Sequence, residues 1–178
     1  MHPAAMNAVV RILDAHKFKN PRKAICEIGS FDVNGSVRPL FGGCEKYVGV
    51  DIRAGAGVDE VADGATYGKP NAFDVVITTE TLEHAPEPAA IVANAFRILK
   101  PGGLVVITAA GPGRDPHNCD GSGPPRESES YANIEPDDLS TWLADAGFEQ
   151  VKVEFNERDR DVYAHAVKPK AAAKGGSE

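Results

Sequence analysis

Hydrophobic and polar positions along this 178-residue chain fall into short blocks, punctuated by glycine, proline and acidic residues. Met6, Val9, Val10 and Leu13 recur at helical spacing after Pro3. That spacing predicts an amphipathic lead-in helix over residues 4–18, stopped by Asn20-Pro21. Ala24–Ile28, Tyr47–Asp51, Phe73–Thr78 and Leu104–Thr108 are nearly continuous apolar runs. Runs of this kind read as strands buried on both faces of a parallel sheet. A shorter run, Val58–Val61, adds another strand, and a short helix is expected around Ser36–Phe41, ended by Gly42-Gly43. Ile91, Val92, Ala95, Phe96, Ile98 and Leu99 form a wide apolar helix face. That helix opens with Pro86 and Pro88 in its first turn and is broken at Lys100-Pro101-Gly102-Gly103. Pro136–Ala146 reads as a helix closed by Gly147, followed by alternating strands at Val151–Phe155 and Val162–Val167. The order predicts one α/β domain with a mainly parallel seven-stranded sheet, a C-terminal antiparallel hairpin and helices on both faces.

The boundaries that follow are a lead-in over residues 1–21, the domain proper over 22–167 and a low-complexity tail over 168–178, expected to be disordered. Residues 109–133 break the pattern: Gly, Pro, Ser, Asp and Glu dominate, with almost no apolar anchor before Tyr131. A structureless stretch of that length inside a compact domain is usually functional, so it is expected to be a long active-site loop.

Composition narrows the classes. Apolar residues make up 42% and charged residues 25%, ordinary for a globular protein. A net charge of −7 argues against a broad electrostatic grip on nucleic acid. No run approaches the ~20 apolar residues of a membrane span, so no membrane partner is expected. Three irregularly spaced cysteines, Cys26, Cys44 and Cys119, make no disulfide framework, and a cytoplasmic location is the simpler expectation.

Ligands of open α/β sheets sit at the carboxyl ends of the strands. The first strand here reaches Glu27-Ile28-Gly29-Ser30 and the second ends on Asp51, where a carboxylate would hold a ribose hydroxyl pair. A nucleoside-containing cofactor follows from that layout. A dinucleotide site would carry Gly-x-Gly-x-x-Gly after strand one, but the residues are Gly29-Ser30-Phe31-Asp32-Val33-Asn34-Gly35. Glu27 and Asp32 are wrong for a pyrophosphate, whereas Glu27 suits a cationic ligand. S-adenosylmethionine carries an amino group and a sulfonium, and no phosphate.

With Leu82-Glu83-His84 after strand four and Lys100-Pro101-Gly102-Gly103 before strand five, the chain resembles the small single-domain class I S-adenosylmethionine-dependent methyltransferases. The resemblance runs from about residue 22 to 155 and implies a Rossmann-like methyltransferase fold with S-adenosylmethionine as cofactor. It implies that Glu27, Gly29 and Ser30 belong to the cofactor loop, and that Asp51 accepts from both ribose hydroxyls. It further implies that Ile52 touches the adenine, that Asp63 and Gly64 read its amino group, and that Thr79 and Glu80 meet the methionine end. The loop departs from the family spacing, since the next glycine after Gly29 is Gly35.

Methyl transfer needs an aligned nucleophile and, for a hydroxyl, a base. The segments after strands four and five carry His84, Asp115 and His117, the candidate catalytic residues, with both histidines in the pKa range of a base. The spacing of Asp115, His117, Cys119 and Asp120 matches no ligand pattern, and no metal is expected. Strand four is followed by Thr79-Glu80-Thr81, without the Asn/Asp-Pro-Pro-aromatic segment of base-amino methyltransferases. No proline precedes a cysteine, as cytosine C5 methylation requires. A small-molecule acceptor, methylated at oxygen, is the reading these absences leave. Two alternatives stay open: a catalytically idle methyltransferase-like binding module, and a short nicotinamide-dependent oxidoreductase.

Overall fold

The computed structural model describes residues 2–170. Helix α1 (Pro3–Ala15) precedes strands β1 (Ala24–Ile28), β2 (Lys46–Asp51), β3 (Glu60–Val61) and β4 (Phe73–Thr79). Helix α2 (Pro88–Ile98), β5 (Leu99–Ala110), α3 (Pro136–Ala146), β6 (Glu149–Asn156) and β7 (Asp161–Val167) follow. The sheet order is β3-β2-β1-β4-β5-β7-β6. The first five strands in that order run parallel, and β7 is antiparallel to both neighbours. The expected fold class is therefore observed. Because the chain moves outward from β1 to β3 and then returns to the other side of β1, the strand order reverses between β1 and β4. A crevice opens at such a switch point.

The apolar runs become strands because both sheet faces are covered. Val75, Val76 and Ile77 of β4 and Val105, Val106 and Ile107 of β5 are fully buried. One face packs on α2 and α3 through Ile91, Ile98, Leu139 and Leu143. The other packs on α1 through Val9, Ile12 and Leu13, and on a short turn of 3-10 helix carrying Phe41.

Several expected boundaries move. The strand expected over Val58–Val61 is only Glu60–Val61, and the helix expected around Ser36–Phe41 is a 3-10 turn over Arg38–Phe41. Four others move for a visible reason. Helix α1 ends at Ala15, before Asn20-Pro21, because Lys17 turns left-handed (φ 49°). The Lys17 and Phe18 amides then donate to Asp14 and Leu13, closing the last turn locally. Pro86 lies outside α2, which starts with Pro88 as its first residue. The break at Lys100-Pro101-Gly102-Gly103 is a bulge inside β5, not a linker before it: Leu99 already pairs with Phe73, and Leu104 resumes beside Val75. Gly103 fits there because a Cβ would lie 2.8 Å from the Lys100 carbonyl oxygen, while the Lys100 ammonium holds Asp74 at 2.7 Å. Finally, the loop expected over 109–133 occupies 111–135, since Ala109 and Ala110 pair with Val162 and Asp161 and extend β5.

The tail expected to be disordered begins instead with an anchored residue. The Lys168 ammonium caps the carbonyls of Phe96 and Leu99, each at 2.8 Å, and its own carbonyl accepts from Gly102. Residues 171–178 of that tail lie outside the described residues.

Candidate functional site

A cleft of about 1090 Å³ opens over the carboxyl ends of β1, β2 and β4. That is the upper end of the roughly 300–1,000 Å³ range of small-molecule sites. All of the residues singled out from sequence line it: Glu27, Gly29, Ser30, Asp51, Ile52, Asp63, Gly64, Thr79, Glu80, His84, Asp115 and His117.

The half beneath β1 and β2 is built by the sheet. Gly29 turns the chain with φ 79°, and a Cβ there would overlap the Thr81 side chain, so no other residue fits. The Gly29 and Ser30 amides both donate to the Val50 carbonyl, locking the turn to β2. Glu27 is buried and accepts from the Tyr47 hydroxyl at 2.6 Å. Loss of solvent pushes its carboxyl up to about 7, although the Tyr47 bond and Arg38 pull the other way. Asp51 accepts from the Phe31 amide at 3.3 Å and the Arg53 amide at 2.9 Å, which fixes its carboxylate at the cleft wall. Ile52 is 72% exposed, an apolar side chain offered to the cleft opening. The Ser30 hydroxyl is buried at the wall with no hydrogen-bond partner among the described residues. Asp63 is exposed and its carboxylate bonds the Ala65 amide, a local turn contact. Gly64 packs so closely on Ile28 that a side chain would clash, and its carbonyl accepts from buried Asn94 at 2.7 Å.

Past β4, Glu80 adopts the left-handed region (φ 51°), a strained conformation held by its amide bonding the Thr108 carbonyl. Its carboxylate accepts from the Thr108 hydroxyl and faces His2 at 3.4 Å. His2 also sits 2.9 Å from buried Asp161, and these two carboxylates raise its imidazole to about 9, while Arg114 pairs with Asp161 from the other side. His2 and Arg114 line the cleft, yet no periodicity marks them in the sequence.

The opposite wall carries His84 and His117, which belong to an aromatic cluster. His84, from a 3-10 turn after β4, and His117 and Tyr131, from the long loop, meet edge to face with centroids 4.9–5.4 Å apart. Burial, with His117 nearby, lowers the His84 imidazole to about 4, so it is neutral at pH 7. The His117 Nδ1 lies 3.1 Å from the Asp115 carbonyl; donation there leaves Nε2 as the acceptor nitrogen. Asp115 thus takes part through its backbone, with its side chain exposed. Cys119 and Asp120 do not join His117: Cys119 donates to Glu129, and Asp120 pairs with Arg126.

Glu83 is the residue that sequence reasoning quoted without a role. It is 1% exposed, one oxygen accepts from the Ala110 amide, and the other has no partner among the described residues. Burial, with Glu80 nearby, pushes its carboxyl up to about 8. Ligand atoms of Glu83, His84 and His117 lie within 4.8 Å of one another, as do those of His2, Glu80 and Asp161, and each trio could hold a cation. Its place in a buried turn directly after β4 was the available signal for Glu83.

A family model described as a methyltransferase domain matches residues 11–153. Among curated relatives, the ubiquinone biosynthesis O-methyltransferase of Methylococcus capsulatus is 33% identical over 101 residues, covering 52% of this chain and 43% of the relative. The matched stretch therefore spans less than half of that protein. Among solved structures, phosphoethanolamine N-methyltransferase 2 of Haemonchus contortus superimposes with a TM-score of 0.67 at 18% identity, covering 92% of this chain and 53% of the other. The 1,6-didemethyltoxoflavin-N1-methyltransferase of Burkholderia thailandensis does so with a TM-score of 0.66 at 17% identity, covering 94% and 79%. At such identities the structural matches establish the fold.

Proposed function

The chain belongs to the methyltransferase-domain family, and from that premise we propose that it transfers a methyl group from S-adenosylmethionine to a hydroxyl of a small-molecule acceptor. The observation that carries this reading is one cleft with two chemically distinct walls: carboxylates Glu27 and Asp51 on one side, the imidazoles of His84 and His117 on the other. The donor set fits the cofactor. Glu27 faces a cationic end without a competing phosphate site, Asp51 offers a carboxylate to a hydroxyl pair, and buried Ser30 has a hydroxyl to spare. Ile52 supplies apolar surface for a base, with Asp63 and Gly64 beside it, and Thr79 and Glu80 border the methionine end.

When bound, the cofactor supplies a methyl carbon already activated by a sulfonium. The protein's part is alignment and removal of one proton. Burial keeps the His84 imidazole neutral and makes it the weaker base of the two. His117 therefore takes the acceptor's proton at Nε2, while neutral His84 and Tyr131 hold its ring in place. The O-methyltransferases at about one-third identity support oxygen as the acceptor atom. No helix among the described residues is long and apolar enough to cross a membrane.

The test is turnover with methyl-labelled S-adenosylmethionine against a panel of small phenols, catechols, sugars and amines, read by mass spectrometry. O-methylated product is expected. Label transferred only to amines would overturn the acceptor atom, and cofactor binding without transfer to any class would favour the idle binding module.

A further inference from the structure

Tyr47 lies on β2, outside the cleft lining, and nothing in the sequence motifs marks it. Its hydroxyl donates to one oxygen of Glu27 at 2.6 Å, and no described residue bonds the other oxygen of that carboxylate, which lines the cleft. The Tyr47 ring is itself clamped. The Arg38 guanidinium sits 4.5 Å above its centroid and is fixed in turn by Asp59 at 2.6 Å and the Gly57 carbonyl at 2.9 Å. Asp59 also accepts from the Gly49 amide at 2.7 Å, tying the clamp to β2. Such a chain of contacts holds one carboxylate in one orientation with one edge free. Away from Glu27 the chain is anchored on backbone, at the Gly57 carbonyl and the Gly49 amide.

We propose that Tyr47 is a positioning residue that holds Glu27 for the cationic amino group of S-adenosylmethionine, and that cofactor affinity is thereby gated by the protonation of Glu27. The proposal rests on the cofactor reading above. The groups facing Glu27 are Tyr47 from β2, Arg38 from the 3-10 turn, Asp32 from the glycine loop and Asp59 ahead of β3. On the other side β4 presents Ile77 and Thr78, which do not titrate. Tyr47 stays a donor, since burial and Glu27 together push its own ionisation far up. The Glu27 carboxyl titrates near 7, so the protein carries it part neutral at physiological pH. An ammonium ligand requires the carboxylate, so affinity falls as pH drops below that point, by up to about tenfold per pH unit for one proton. Removing the Tyr47 hydroxyl takes away a bond that favours the ionised form and moves the midpoint upward.

The experiment is calorimetric titration of the whole chain, its Tyr47→Phe variant and its Glu27→Gln variant with S-adenosylmethionine from pH 5.5 to 9. 5′-Methylthioadenosine, which lacks the amino acid portion, is the second probe. Expected are an acid limb near pH 7 in the wild type, the same limb shifted to higher pH in Tyr47→Phe, and none in Glu27→Gln. Methylthioadenosine should show no acid limb with any of the three. An alkaline limb from loss of the cofactor's ammonium charge is expected for wild type and Tyr47→Phe with S-adenosylmethionine, and not with methylthioadenosine. A flat wild-type profile between pH 5.5 and 7.5, or superimposed profiles for wild type and Tyr47→Phe, would overturn the proposal. Absence of binding to either probe at every pH would overturn the cofactor reading itself. Thermal melts of the folded variants separate either result from unfolding.

Discussion

The two walls of the cleft are made differently. The wall carrying Glu27, Gly29 and Asp51 is the end of a parallel sheet. Its residues sit where strand register puts them: Glu27 meets the Tyr47 hydroxyl of the adjacent strand, Gly29 donates to the Val50 carbonyl, and Asp51 accepts from the Phe31 and Arg53 amides. The wall carrying His84 and His117, against which Tyr131 packs, joins a 3-10 turn to a loop from 111 to 135 that has no regular structure. That loop is knit by side chains: Arg126 to Asp120 and Glu129, Cys119 to Glu129, Asn118 to Ser122. A sheet edge is rigid and suits a constant ligand, while a polar loop can be rebuilt without touching the core and suits a ligand that differs between relatives. On the proposed function, cofactor binding and acceptor handling fall on separate walls, and substitutions on one wall should leave the other's task intact.

The largest effect is expected from His117→Ala. Loss of a general base lowers turnover by about 10²–10⁴-fold, whereas S-adenosylmethionine affinity by calorimetry should stay within about twofold of wild type. If the rate fell less than about threefold, the loop wall would not be the chemical one. Next comes Asp51→Ala on the sheet wall. A charge-assisted hydrogen bond is worth about 1.5–3 kcal/mol, so cofactor affinity should drop about 10–100-fold, with the variant's turnover at saturating cofactor nearer to wild type. Affinity within about twofold of wild type would show that the end of β2 is not a binding position. The smallest effect belongs to Glu83, beneath the join of the two walls. Its carboxyl titrates near 8 in the folded chain, above its unfolded value, so its contribution to stability is full at low pH and is lost as pH rises toward 8. Glu83→Gln should therefore be more stable than wild type at pH 8, with the gap closing near pH 5, as read by urea unfolding. A gap independent of pH would mean that Glu83 ionises freely, as it would beside a bound cation.

The same contrast explains what could be read from the sequence. Strands β1, β2 and β4 announce themselves as apolar runs, and the residues at their ends follow at once, so the sheet wall and the fold class were legible. The other wall depends on contacts between residues far apart in the chain. Nothing local says that His84, His117 and Tyr131 meet, or that Cys119 and Asp120 turn away toward Glu129 and Arg126. His2 reaches the cleft only because α1 packs across β5 and β7, a tertiary fact with no signature in the first residues. The glycines at 102 and 103 misled for another reason: they serve a bulge and a close backbone approach within one strand, and such glycines look like a linker in one dimension.

The most direct test of this division is calorimetric titration of wild type and His117→Ala with S-adenosylmethionine and S-adenosylhomocysteine, with NAD as control. The expected result is micromolar binding of both nucleosides to both proteins and none of NAD. Binding of NAD, or loss of nucleoside binding when His117 alone is removed, would contradict it.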